Sequence, residues 1–256
     1  MKVKVRVEGK VTIRILERGK VVKEAEAKNA VSNNFAISLA NAMRGTSADN
    51  KFYYPDQVQL YDGAGNLIKT LAAPTISGLQ ATWTDTSAQA YTVASVKIIG
   101  KNAYDAVTME IAKATGLNVS KAAEQALQVI WTVSISGPLA GTALQIIQDC
   151  FRQGYSTRGY ANAVGLRAPD GSAVALVSAS PGYPTTGTGV NYAYCRVQAT
   201  YAPPFSQTVR YVDGYYQTAT EGLGLWMYQL SSDVTLQANT AYTLRTEIQF
   251  PWDYTA

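Results

Sequence analysis

Residues 2–16, KVKVRVEGKVTIRIL, alternate almost without fault. Val3, Val5, Val7, Val11, Ile13 and Ile15 take odd positions, and Lys2, Lys4, Arg6, Lys10, Thr12 and Arg14 take even ones. A period of two belongs to a strand with one buried and one solvated face. Gly9 breaks the apolar series. A two-residue turn there would put Val7 and Lys10 on one face, so a bulge in one long strand is the preferred reading and a three-residue connection the alternative. ERGK at 17–20 is a better turn, and VVKEAEAK returns from it as a second strand.

This segment also carries the chain's basic character. Residues 1–30 hold nine Lys/Arg and four Asp/Glu, a balance of +5, whereas residues 31–256 balance at −1. A basic arm can meet nucleic acid or an acidic partner, but a solvated strand face is the simpler account. The arm lacks interleaved aromatic residues, which disfavours nucleic acid.

The rest of the chain repeats itself. VQLYDGAGNLIKTLAA at 58–73 and VGLRAPDGSAVALVSA at 164–179 share V-x-L, a turn glycine (Gly65, Gly171) and an apolar close. Each follows a helical pattern. VSNNFAISLANAMRG places Phe35, Leu39 and Met43 on one stripe, with Ser32 or Asn33 as cap and Gly45 as stop. TALQIIQDCFRQG places Leu144, Ile147, Cys150 and Phe151 together and stops at Gly154. SVKIIGKN at 95–102 answers TVRYVDGY at 208–215, setting Val96 against Val209. AVTMEIAKA at 106–114 answers GLGLWMYQL at 222–230, and in the last strands Trp131 is set against Leu244. The stretches AQAYTV and YAPPFSQ are long enough to cross between sheets. Order and spacing predict an all-β protein with two short helices, built as two tandem β-sandwich or jelly-roll-like units that arose by duplication. The expected division is a basic strand arm at 1–30, a first unit at 31–137 and a second at 138–256, with SGPLAG at 136–141 as the boundary.

Little in the sequence points to catalysis. Histidine is absent, which removes the commonest general base and metal ligand. The carboxylates are scattered: Asp62, Asp85, Asp105 and Glu110 in one half, Asp170, Asp213, Glu221 and Asp233 in the other. DGAGN resembles half of a calcium loop but no bidentate Glu follows, so Asp62 and Asp170 read as turn residues. No enzyme activity, metal or cofactor is expected. Cys150 and Cys195 lack metal-ligand spacing; two buried free thiols are the simpler reading, and a disulfide between them stays open. No apolar run is long enough for a membrane span, and no secretory signal opens the chain.

Tyrosine is uneven, with five in residues 1–137 and twelve in 138–256. Tyrosine is enriched at interfaces because its ring is apolar and its tip bonds hydrogen. Tyr183, Tyr192, Tyr194, Tyr215, Tyr216 and Trp226 are therefore the candidate ligand or interface surface, with SASPGYPTTGTGVNY as the presenting loop.

Residues 20–45, KVVKEAEAKNAVSNNFAISLANAMRG, resemble the start of virion proteins of tailed phages and archaeal viruses. There a strand, a K-N-x-V step and a helix ending in Gly introduce a β-sandwich, and ALQVIWTVSIS at 126–136 resembles the last strand of such sandwiches. The duplication is more similar to tandem jelly-roll proteins of capsids, turrets, necks and tails. The resemblance implies a structural protein assembled in the host cytoplasm into a virion, with copies of itself and other virion proteins as partners. The apolar residues Val3 to Ile15 would then form an assembly arm, adding strands to a neighbour's sheet edge. The alternative is host attachment, with the Tyr-rich second unit binding a surface glycan.

Overall fold

The computed structural model describes residues 1–217 and 222–256. Among them the chain forms seventeen strands and two helices. It opens with β1 (Lys2–Lys4), β2 (Arg6–Glu17) and β3 (Lys20–Val31). The first unit continues through α1 (Asn33–Arg44), β4 (Tyr54–Tyr61), β5 (Leu67–Ala72), β6 (Thr75–Ser77), β7 (Gln80–Asp85), β8 (Tyr91–Lys101), β9 (Thr108–Lys121) and β10 (Ala126–Ser136). The second runs through α2 (Gly141–Gln153), β11 (Ala163–Arg167), β12 (Ala173–Ser178), β13 (Thr185–Gly189), β14 (Tyr192–Tyr201), β15 (Gln207–Gln217), β16 (Gly222–Leu236) and β17 (Tyr242–Pro251). The fold is all-β with two short helices, arranged as two β-sandwich-like units.

Counted from its helix, each unit has seven strands in the same arrangement. The first unit is one nine-stranded sheet, β5-β4-β8-β9-β3-β2-β10-β7-β6; its β5-β4-β8-β9 flank matches the separate sheet β12-β11-β15-β16 of the second unit, and its β10-β7-β6 flank matches β17-β14-β13 of the sheet β1-β17-β14-β13. After the fourth strand the chain crosses from one flank to the other in the first unit, at residues 86–90, and from one sheet to the other in the second, at 202–206. The irregularities are repeated as well. The β8–β9 register slips between Val93 and Ser95 and again between Ile98 and Ile99. The β15–β16 register slips between Val209 and Tyr211 and again between Gly214 and Tyr215, at the same intervals. The first hairpins match bond for bond: Gly65 N–H donates to the Asp62 carbonyl at 3.1 Å and Gly171 N–H to the Ala168 carbonyl at 2.9 Å. Both glycines sit at φ +84°, which closes the turn that their side chain-free backbone permits.

These slips correct the alignment read from the sequence. Val93 corresponds to Val209, and Val96 to Val212. A bulge turns two valines three residues apart to the same side, so a strict period of two mistakes one for the other. By the same pairing Ala112 corresponds to Trp226, and Trp131, opposite Ala81, corresponds to Phe250, opposite Ala193.

Residues 2–17 lie within the chain's own sheets. β1 runs parallel to β17, and β2 lies between β10 and β3 in the first unit. Residues 1–30 thus belong to both units and do not stand apart as an arm in this fold. Val3, Val5, Val11, Ile13 and Ile15 are buried in the core, and Val7 packs at its margin. Gly9 is neither bulge nor turn, because the β2–β10 register runs through it unbroken. It is glycine because the Asn29 side chain crosses over it: a Cβ would fall 1.9 Å from Asn29 Oδ1. Asn29 Oδ1 in turn accepts from Trp131 Nε1 at 3.2 Å. The basic face of β2 is paired with the carboxylates of its neighbours, Lys10 with Glu26 at 2.6 Å and Arg14 with Glu24 at 2.5 Å.

Both helices lie where the units meet. Ser32 caps α1 by accepting the Phe35 N–H at 3.3 Å. α2 ends at Gly154, whose N–H reaches the Cys150 carbonyl at 2.7 Å. Phe35 of α1 meets Phe52, Trp131 and Phe151 edge-on, at centroid distances of 6.1, 5.3 and 6.3 Å. Removing a ring such as Trp131 from so filled a cluster costs about 3–5 kcal/mol. On α2 the buried face is Ala143, Ile146, Ile147, Cys150 and Phe151, while Leu144 lies at its edge. One continuous core runs through both units.

Candidate functional site

The loops that follow the two helices converge beside the β12–β13 connection. Gly45, at φ +96°, turns the chain out of α1 and leads into Thr46 and Ser47. Ser156, Thr157, Gly159 and Tyr160 follow α2, and Ala161 N–H ties that loop to the Met43 carbonyl at 2.8 Å. Together with Arg44, Tyr183 and Tyr216 these residues line an open cleft of about 700 Å³. Two rings are seated on glycines. A Cβ on Gly45 would lie 3.0 Å from the Tyr160 ring, and one on Gly159 only 2.4 Å from Tyr216. The glycines therefore set how far the walls stand apart.

The cleft is polar, and among the described residues no carboxylate lines it. Arg44 is its cation. Its Nη1 donates to Asn50 Oδ1 at 2.6 Å and to Thr186 Oγ1 at 3.5 Å. Tyr183 donates its hydroxyl to Gln198 Oε1 at 3.2 Å. Such a surface offers aromatic faces, hydroxyls and one guanidinium. It can hold a polyhydroxylated or anionic molecule by stacking and hydrogen bonding. Ser156 on its wall donates its hydroxyl to Asp149 Oδ2 at 3.2 Å.

The six aromatic residues singled out from the sequence do not form one surface. Tyr183 and Tyr216 line the cleft. Tyr192 and Tyr194 lie side by side on β14, with centroids 6.4 Å apart, and Arg196 stacks 4.6 Å over Tyr194. Tyr215 sits elsewhere, bonded through its hydroxyl to Arg167. Trp226 is core, 1% exposed, with Nε1 donating to Thr246 Oγ1 at 2.9 Å. It occupies the gap opposite Gly214, where a Cβ would come within 2.3 Å of the indole. A third of the expected presenting loop is strand β13, which the Thr/Gly-rich text concealed. Arg44, Tyr160, Ser156 and Thr157 were not singled out. Their one signal is position, since each stands within a few residues of a glycine that ends a helix or turns its loop.

The carboxylates are engaged elsewhere. Asp62 Oδ1 accepts the N–H groups of Ala64 and Asn66 at 2.9 and 2.8 Å, and Asp170 accepts that of Ser172 at 2.9 Å, both as turn residues. Asp85 is buried among Lys69, Ser87 and Tyr91. Burial alone would raise its pKa, but the bonds from Tyr91, Lys69 and Ser87 outweigh burial and hold it well below the usual carboxylate range. Lys121, 2% exposed, closes the same cluster by donating to the carbonyls of Ser87 and Gln89 at 2.6 and 3.0 Å. Asp105 pairs with Lys51, Asp233 with Arg210 at 3.2 Å, and Glu110 with Lys97 at 2.8 Å. Asp213 pairs with Arg167 at 2.7 Å; burial raises its pKa and Arg167 pulls it back. Glu221 lies outside the described residues. Among the described residues no group of His, Cys, Asp or Glu is gathered to hold a metal ion. Cys150 and Cys195 are both free and buried. Among the described residues no helix is long and apolar enough to cross a membrane. Compared with protein-family models, curated proteins and solved structures, the chain matches none of them.

Proposed function

We propose that the protein is a non-enzymatic structural subunit that works by assembly, as a capsid, turret, neck or tail component of a virus particle. The observation that carries this reading is the duplication. One chain presents the same strand edges twice, β5 with β12 and β6 with β13, so it can meet neighbours through related surfaces. Exposed apolar residues stand on or beside these edges: Leu67 on β5, Leu176 on β12 and Val190, 86% exposed, at the β13–β14 turn. Copies of the same chain and other particle proteins are the partners, and the assembled virion is the location. The assembly route uses these outer edges, since the apolar residues of β1 and β2 are already buried in the chain itself. Light scattering behind size exclusion, with negative-stain microscopy of the peak, tests the proposal. A ring, tube or shell supports it; a monomer at every concentration and salt refutes it.

A second reading, host attachment, has its own support in the cleft of Tyr160, Tyr183, Tyr216 and Arg44. It predicts retention of a surface glycan, lost in Tyr183→Ala. A glycan array with no signal for the parent protein eliminates it.

A further inference from the structure

The duplication gives each position in one unit a counterpart in the other, and one pair of counterparts differs in what lies upon it. In the first unit the segment before α1 is covered by the chain's own C-terminus. Asp253 N–H donates to the Val31 carbonyl at 2.8 Å, Val31 N–H to Asp253 Oδ2 at 2.7 Å, and Asn33 N–H to the Tyr254 carbonyl at 2.9 Å. The Tyr254 hydroxyl donates to Glu110 Oε1 at 2.7 Å, and its ring lies 4.0 Å from Lys113 Nζ. Ser32 and Tyr254 pair as in a parallel sheet.

In the second unit the same ground is open. Ser32 N–H donates to the Ile111 carbonyl at 3.1 Å, and its counterpart Ala140 donates to the Leu225 carbonyl at 2.9 Å. Leu139 therefore stands where Val31 does, with its N–H and carbonyl directed away from β16. Its N–H folds back to the Gly137 carbonyl at 2.8 Å, and among the described residues no donor reaches its own carbonyl. Val31 and Ser32 are buried, but Leu139 and Ala140 are half-exposed. A cavity of about 260 Å³ lies here, lined in part by Pro138, Leu139, Ala140, Arg167, Asp213 and Met227. Asp213, 2% exposed, bonds Arg167 through Oδ2. Its Oδ1 is buried and accepts no hydrogen bond, although the nearby Tyr228 amide exerts a weak pull on the carboxylate. Buried acceptors are rarely left so.

We propose that this socket takes an extended segment of another polypeptide, laid parallel along Leu139–Gly141, with a tyrosine whose hydroxyl donates to Asp213 Oδ1. Charge complementarity sets the chemistry. Arg167 already balances the Asp213 charge, so the missing group is a neutral donor rather than a second cation. Gly224 replaces Glu110 and leaves space, with nothing nearer than 3.8 Å to a Cβ built there. Met227 replaces Lys113 beneath the ring, and a thioether is a good neighbour for an aromatic face. The main-chain bonds would supply affinity and the tyrosine selectivity, as in other cases of strand addition. The socket does not depend on the protein being part of a particle.

The test titrates full-length protein into a fluorescein-labelled peptide of residues 249–256, QFPWDYTA, and reads anisotropy. Saturable binding is expected, weakened about tenfold by Phe in place of the peptide's tyrosine and by Asp213→Ala in the protein. Met227 is exposed, so Met227→Lys leaves folding intact; by restoring an ammonium under the ring it should tighten binding about threefold. Circular dichroism melts check that Asp213→Ala is folded. Absence of binding up to about 1 mM protein overturns the proposal. So does binding that falls with Glu110→Gln and ignores both Asp213→Ala and Met227→Lys, because the peptide would then be exchanging into the first unit's socket.

Discussion

Tyr254 is the strongest single test of how the two units are joined. Tyr254→Phe removes one hydrogen bond, the 2.7 Å contact to Glu110 Oε1, and leaves the ring over Lys113. A bond to a charged acceptor contributes about 1.5–3 kcal/mol, and this half-exposed site belongs at the lower end. Unfolding entropy near the midpoint is about 2.1 cal/mol/K per residue, so 256 residues give about 0.5 kcal/mol per degree. The Phe variant should therefore melt about 3 °C lower. Tyr254→Ala also loses the cation–π contact, about 0.5–1 kcal/mol, and the burial of the ring, about 1–2 kcal/mol. Its melting temperature should fall by about 7 °C. Differential scanning calorimetry at one protein concentration reads both shifts. If Tyr254→Ala melts within about 1 °C of the parent, the C-terminal clasp contributes nothing and the coupling rests on β1 and the helices alone.

Three other outcomes follow from the structure. Asp85 has its folded-state pKa depressed, so its stabilisation is complete above the unfolded value near about 3.9 and is lost as pH falls below it. Asp85→Asn should cost about 2–3 kcal/mol at neutral pH, less than a fully buried pair because Lys69 reaches solvent, and the gap to the parent in urea melts should shrink near about pH 3. Deleting residues 1–17 should leave no folded first unit, seen as loss of near-ultraviolet dichroism, because β2 is an interior strand; a folded, soluble core would refute the assignment. Burial pushes the Cys150 thiol up to about 12 and raises that of Cys195 as well, so neither should react with a thiol reagent in the native protein, and both should react in denaturant.

The sequence disclosed the strands and the repeat but not their register. Alternation located β2 because each side chain of an amphipathic strand reports its own face. The turn at Gly65 and its twin at Gly171 were readable because a positive φ selects glycine locally. The bulges were not readable. Nothing local distinguishes Val93–Val96, three apart and both inward, from two strands in different phase. Gly9 was misread for a related reason, since its glycine answers to Asn29, twenty residues away in the chain. The cleft was half legible. Tyr183 and Tyr216 stood out by type, whereas Arg44, Ser156 and Thr157 acquire meaning only when two helix-ending loops meet. Trp226 misled because an aromatic residue reads the same whether it faces the core or solvent.

The two copies kept their geometry and exchanged their charges, and that pattern separates what the fold needs from what it is free to use. Bulges, turn glycines and the cap-to-strand bond persist, because each fixes backbone pairing that the sandwich cannot close without. Tyr61, Lys97 and Glu110 stand in the first unit where Arg167, Asp213 and Gly224 stand in the second. The ion pair Lys97–Glu110 holds the chain's own tail, while Asp213–Arg167 turns the same place into a cavity with an unsatisfied acceptor. Asp213 keeps its charge in a buried place because Arg167 pairs it, so the exchange is one of local partners under a different constraint. In the first unit that constraint is the C-terminus. The tail and β1 bind each end of the chain to the opposite unit, Asp253 and Tyr254 to the first and Lys2–Lys4 to the second. With residues 2–4 and 253–254 so paired, assembly of the kind proposed would use the strand edges and sockets that these contacts leave uncovered.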